Sequence, residues 1–136
     1  MKIESEKAPK PVGAYPHARK VGNLLFLSGV GPRKSNSKKI PGVVIDKAGN
    51  IISHDIEAQC HSVFENVRII LEEAGSNWNN LVDGTVFLTD MYKDFETYNR
   101  IYAEYFKDNQ PCRTTVEVSS LPTPIAIELK CIAIIE

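Results

Sequence analysis

Residues 125–135 read Ile-Ala-Ile-Glu-Leu-Lys-Cys-Ile-Ala-Ile-Ile. A run this short, rich in β-branched residues and bounded by Leu121-Pro122-Thr123-Pro124, reads as a strand, and a strand shows alternate residues to opposite faces. One face carries Ile125, Ile127, Leu129, Cys131 and Ala133. The other carries Ala126, Glu128, Lys130, Ile132 and Ile134. Both faces are largely apolar, so both need a cover. Helices can supply one. A chain of 136 residues has no further element for the second, which predicts oligomerisation through that face.

Outward from this strand, the rest of the fold follows. Thr114–Val118 precedes it as another strand. Val82-Asp83-Gly84-Thr85-Val86-Phe87-Leu88-Thr89 is a third β-rich run. Between them, Asp94 is a candidate cap for a helix holding Phe95, Tyr98, Ile101, Tyr102, Tyr105 and Phe106. An earlier helix opens at Asp55. Its apolar face repeats at helical spacing through Ile56, Cys60, Val63, Phe64, Val67, Ile70, Leu71 and Ala74, and Gly75 stands where a left-handed C-terminal residue belongs. Ahead of it, Ala18–Val21 and Leu24–Leu27 flank Gly22-Asn23 as a hairpin, and Val43–Ile45 and Ile51-Ile52 flank Lys47–Asn50 as a second. The order β-β-(β-β)-α-β-α-β-β predicts an α+β fold: a mixed sheet of four to six strands with two helices packed on one face. No linker or repeat divides residues 1–136, which read as one domain, with residues 1–12 expected to be a mobile lead-in.

Hydrophobic residues make up 43% and charged residues 24%, which excludes a disordered chain. The net charge of −1 gives no footprint for nucleic acid, and no apolar run has the length of a membrane helix. No signal peptide is visible, and Cys60, Cys112 and Cys131 have neither disulfide-framework nor zinc spacing, so a cytoplasmic setting is expected. There is no GxGxxG, no phosphate-binding P-loop, no GxSxG elbow and no HxxxH pair, so no motif asks for a metal or cofactor.

A few residues are candidates for chemistry. Arg113 opens a strand; it is either an ordinary surface arginine or a planar fork for a carboxylate. Glu128 lies amid apolar neighbours; it either balances Lys130 or serves as an acid or base at a pocket rim. Ser28-Gly29 at a strand end either marks a turn or aims backbone N–H groups at an anion. Tyr15 and Asn99 are packing or solvated positions if not pocket residues. His17, Arg19 and Arg33 are solvated edge residues unless they gather around a site.

The segments Pro111-Cys112-Arg113-Thr114-Thr115-Val116-Glu117-Val118, Leu121-Pro122 and Ile127-Glu128-Leu129-Lys130-Cys131-Ile132-Ala133 resemble the signature of the RidA (reactive intermediate deaminase) family. Pro11–Tyr15, Gly22–Gly29 and Asp55–Gln59 resemble family segments in the same order. The resemblance implies a chorismate-mutase-like fold and a homotrimer with sites at the subunit clefts. It implies that Arg113 binds a substrate carboxylate and Glu128 orients the attacking water. Ser28 and Gly29 would line the pocket, with Tyr15 and Asn99 nearby; Thr115 stands where many members carry cysteine. The implied chemistry is hydrolysis of enamines and imines to a ketone and ammonia, without metal or cofactor. In the tract from Tyr15 to Arg33, the basic loop Lys38–Gly42 and Pro122-Thr123-Pro124, the chain looks like the 2-aminomuconate deaminases. Their dicarboxylate substrate yields 4-oxalocrotonate, in the degradation of aromatic compounds. A second carboxylate would give Arg33, then His17, a partner. Arg19 ranks last because strand alternation can send it to the opposite face. The alternatives are a broad 2-imino acid deaminase and a non-catalytic trimer that binds small metabolites.

Overall fold

The computed structural model describes residues 1–35, 37 and 39–136. Its elements are β1 (Lys2–Ile3), β2 (Ala18–Val21), β3 (Leu24–Leu27), β4 (Val43–Ile45), β5 (Ile51–His54), α1 (Ile56–Glu73), β6 (Leu81–Leu88), α2 (Met91–Tyr105), β7 (Cys112–Glu117) and β8 (Ile127–Ile134). The six-stranded sheet runs β1-β2-β3-β8-β6-β7, and β4 and β5 pair as a separate hairpin. All neighbours are antiparallel except β6 and β7. This is the mixed sheet that the alternation at 125–135 predicts, with α1 and α2 against one face.

The run at 127–134 lies in the middle of the sheet, between β3 and β6. Ile127, Leu129, Cys131 and Ala133 are buried beneath the helices. Glu128, Lys130, Ile132 and Ile134 share the opposite face with Phe26 and Phe87. Ile134 and Leu24 remain 36% and 37% exposed there, so this face lacks the cover that the helices give the other.

Local chemistry explains the elements. Asp55 caps α1 by accepting from the Glu57 and Ala58 N–H groups. Gly75 follows at φ 85°, a left-handed conformation that glycine adopts without a Cβ penalty. Between the sheet and the helices, Phe64, Trp78, Tyr98, Tyr102, Tyr105 and Phe106 form a continuous set of stacked and edge-on ring contacts.

Two expectations change. The lead-in is tied down: Lys2–Ile3 pairs with Arg19 and Ala18, Ile3 and Ala8 are buried, and Ser5 binds both His17 and Glu73. A two-residue strand is too short to leave a periodic signal. The cap of α2 is Asp90, which accepts from the Lys93 N–H, four residues before the expected Asp94. Asp94 is instead buried in the first turn, where its carboxylate meets His54 Nε2 at 2.6 Å and ties the β4–β5 hairpin to α2. The expected basic loop at 38–42 includes Lys38, which lies outside the described residues. Among the described residues no helix is long and apolar enough to cross a membrane.

Candidate functional site

β3 ends at Leu27, and the chain leaves it through Ser28-Gly29-Val30-Gly31-Pro32-Arg33. The Ser28 N–H donates to the His17 carbonyl and its hydroxyl to the Pro16 carbonyl, at 3.0 and 2.7 Å. Val30 exchanges both backbone bonds with Leu129, which holds the segment against β8. From the helix side, Ser62 Oγ donates to the Pro32 carbonyl, and Asn66 Nδ2 donates to the carbonyls of Gly31 and Arg33. Ser62 and Asn66 are buried polar residues interleaved with the apolar positions of α1. That placement is a signal available in the sequence, and reading it only for apolar periodicity misses both.

This fixed segment, with the lead-in, forms a small cleft lined by Tyr15, His17, Ser28, Gly29 and Arg33. The cleft shares Tyr15, His17 and Arg33 with a wider open groove of about 1380 Å³, which Lys2, Lys10, Arg19 and Lys34 also line. Five cations against Glu4 and Glu6 make the groove's lining net positive.

The Glu128 carboxylate lies against Gly29. A Cβ built on Gly29 would come within 2.8 Å of Glu128 Oε2, so glycine makes the room that the carboxylate occupies. Half-burial pushes the Glu128 carboxyl above its ordinary value, and the nearby Arg33 guanidinium opposes the shift. Lys130 turns away and donates to the Leu27 carbonyl, so it does not balance Glu128. Gly29→Ala should displace the carboxylate, the far end of a flexible side chain, more than it strains the backbone. The expected result is a fall in kcat of about tenfold or more with a nearly unchanged melting temperature, measured on one preparation.

His17 is buried. Its Nδ1 accepts from the Ser5 N–H at 3.0 Å, so that nitrogen carries no proton; Nε2 then donates to the Pro9 carbonyl at 2.8 Å. The ring is a neutral brace of the lead-in, with no nitrogen left for a ligand. Arg33 Nη2 donates to the Lys10 carbonyl at 2.9 Å. Arg19 pairs with Phe26, and Phe26 with Ile132, so Arg19 is on the same sheet face as Glu128, not the opposite one. Strand spacings put it roughly 16 Å from Glu128. Tyr15 Oη accepts from the Val12 N–H.

Arg113 lies elsewhere. β7 is an edge strand, with Arg113 paired to Gly84 of β6, and Glu128 of β8 is paired to Phe87 of the same strand. Gly84 and Phe87 are three positions apart, an odd number, so Arg113 and Glu128 are on opposite faces of the sheet. By strand geometry they are also roughly 14 Å apart in its plane. Arg113 extends over α2. Its guanidinium carbon is 4.7 Å from the Tyr102 ring centroid and 5.4 Å from that of Tyr98, and Nη1 donates to Asn99 Oδ1 at 2.8 Å. Thr115, two residues on, shares a 3.0 Å hydroxyl contact with Tyr98. The candidate residues thus form two groups: Tyr15, His17, Ser28, Gly29, Arg33 and Glu128 in one, and Asn99, Arg113 and Thr115 in the other. Tyr98 and Tyr102, which read as core aromatics in the sequence, belong to the second.

Among the described residues, no group of three or more His, Cys, Asp and Glu is placed to hold a metal ion. The half-buried carboxylate can accept a proton from water, and the guanidinium can hold an anion.

Comparison with known proteins adds an independent finding. The model of the Endoribonuclease L-PSP family matches residues 5–135. A RutC family protein of Pyrococcus abyssi is 44% identical over 131 residues, covering 96% of this chain and 94% of that one. The chloroplastic Reactive Intermediate Deaminase A of Arabidopsis thaliana is 37% identical over 131 residues, covering 96% of this chain and 64% of that one. The crystal structure of TdcF from E. coli with bound serine superposes with a TM-score of 0.85 at 29% identity, covering 100% of this chain and 99% of that one.

Proposed function

The chain belongs to the Endoribonuclease L-PSP family, and from that premise we propose that it hydrolyses carboxylate-bearing enamines and imines to the ketone and ammonia. The observation that carries this reading is a half-buried carboxylate with a raised pKa, Glu128, held against Gly29, in a chain that also holds an exposed guanidinium, Arg113, oriented by Asn99. Two relatives support it: one is named a deaminase, and the other is a solved structure with a bound amino acid.

Because Arg113 and Glu128 are on opposite faces of one sheet, a single copy cannot bring both to one substrate. We place the working site between two copies of a homotrimer, each giving one half. The uncovered apolar face of the sheet supports such an assembly. Arg113 grips the substrate carboxylate with two N–H groups, which sets the α carbon in place. Glu128 takes a proton from water as the water oxygen bonds to the imine carbon. The nitrogen gains protons, the carbon–nitrogen bond breaks, and ammonia leaves as the carbonyl forms. Ser28 and Gly29 shape the floor, Tyr15 stands at the rim, and Asn99 and Thr115 flank the anchor.

The specific substrate we propose is 2-aminomuconate, converted through its imine tautomer to 4-oxalocrotonate. The positive lining of the groove and the position of Arg33 beside Glu128 support it, since a second carboxylate needs a cation or water at its end of the pocket. Arg33 is the residue assigned to it; His17 has no free nitrogen.

Ammonia release from freshly generated 2-aminomuconate, set beside release from 2-iminopropionate, tests this reading. A higher kcat/KM on the dicarboxylate, lost in Arg33→Ala but kept on 2-iminopropionate, is the expected result. Equal rates on both, unaffected by the substitution, favour the broad deaminase; no release from either favours a binding protein. Arg33→Ala should also move the acid limb of the pH profile upward, because Arg33 holds the Glu128 pKa down.

A further inference from the structure

We propose that Tyr98, Asn99 and Tyr102 form a positioning frame for Arg113, one that orients the guanidinium without neutralising it; the proposal rests on the reading of Arg113 as the carboxylate anchor. An arginine on an edge strand has many side-chain conformations, and ordering it at the moment of binding weakens affinity. Here the order is built in beforehand. Tyr98 and Tyr102 are one turn apart on α2, so their rings lie along one face, with centroids 5.8 Å apart, and both sit under the guanidinium. Tyr98 is fully buried and its hydroxyl meets Thr115 on the same strand as Arg113, which locks the platform to the strand it serves.

Asn99 adds the directional contact that the two rings, inclined at 60° to each other, do not supply. Its Oδ1 takes Nη1 at 2.8 Å, and we assign the edge formed by Nε and Nη2 to a two-pronged contact with the substrate carboxylate. The acceptor is an amide, so it aligns the guanidinium while leaving its charge for the substrate. An aspartate of the same shape would form an ion pair with Arg113 and compete with the substrate for it.

The test uses the full-length protein, steady-state kinetics on 2-iminopropionate generated in situ, and calorimetric binding of pyruvate, the carboxylate product. Asn99→Asp should raise KM and the pyruvate Kd together by about tenfold or more, with kcat changed by less than about threefold and the melting temperature unchanged. Tyr102→Leu should raise KM by about two- to fivefold, and Tyr102→Phe, which keeps the ring, should restore it. An unchanged KM and Kd in Asn99→Asp, or a Tyr102→Phe variant as impaired as Tyr102→Leu, overturns the frame. Arg113→Ala in the same assay separates the two ideas. If it is inactive while Asn99→Asp behaves as wild type, the anchor stands and the frame fails. If Arg113→Ala retains activity, the anchor itself is wrong.

Discussion

Arg113→Ala is expected to lower kcat/KM by about 30- to 5000-fold while the assembly persists, the equivalent of about 2–5 kcal/mol for a two-pronged charged contact sealed inside a site. Arg113 is exposed on an edge strand, and its contacts are with Asn99, Tyr98 and Tyr102 at the surface of α2, so the fold does not depend on it. Lysine at this position keeps the charge but not the planar fork, and should recover only part of the loss. Near-normal kcat/KM in Arg113→Ala, with an intact oligomer by sedimentation, would show that the carboxylate is held elsewhere.

Glu128→Gln is the second large effect. The amide keeps the shape against Gly29 and loses the basicity, so kcat should fall by about 10²- to 10⁴-fold with little change in substrate affinity. Stability should move the other way. A carboxyl whose pKa is raised by folding holds its proton more tightly in the native state, so stability falls as pH rises from the ordinary carboxylate range through the raised value. Above that range, the Gln variant escapes this loss and should melt at the same or a slightly higher temperature than the parent. A lower melting temperature with nearly unaltered kcat would mean that Glu128 is a structural charge.

The alternation at 125–135 exposes the middle strand of the sheet and its two unlike faces. The apolar repeat from Ile56, with Asp55 before it and Gly75 after, delimits α1 to within a residue or so, because cap chemistry and periodicity agree there. α2 is less legible. Asp90 and Asp94 each precede a helical repeat, and only tertiary packing, which buries Asp94 against His54, decides which one caps. The lead-in reads as mobile because polar residues and prolines dominate it; its anchors are Ile3, Ala8 and the bonds of Ser5, none of which makes a pattern.

For the site, the sequence names the residue types but not their grouping. That Arg113 and Glu128 face opposite ways follows from the pairings Arg113–Gly84 and Glu128–Phe87, and register between distant strands has no local signature. His17 reads as a candidate cation from its neighbours Arg19 and Arg33, and only the Ser5 N–H pointing at Nδ1 shows it to be neutral. Tyr98 and Tyr102 read as core because aromatic residues at helical spacing usually are; the parallel pairing of β7 to β6 is what brings Arg113 over them.

The central claim, that Arg113 of one copy and Glu128 of another act on the same imine, is tested by mixing the two inactive variants. Arg113→Ala and Glu128→Gln chains are unfolded together in equal amounts and refolded, and ammonia release from 2-iminopropionate is measured against each variant refolded alone. If each site takes one half from each of two copies, random assembly rebuilds roughly a quarter of the sites intact, and about a quarter of the parent activity returns. A mixture as inactive as its components, with mixed oligomers demonstrated, would contradict the account.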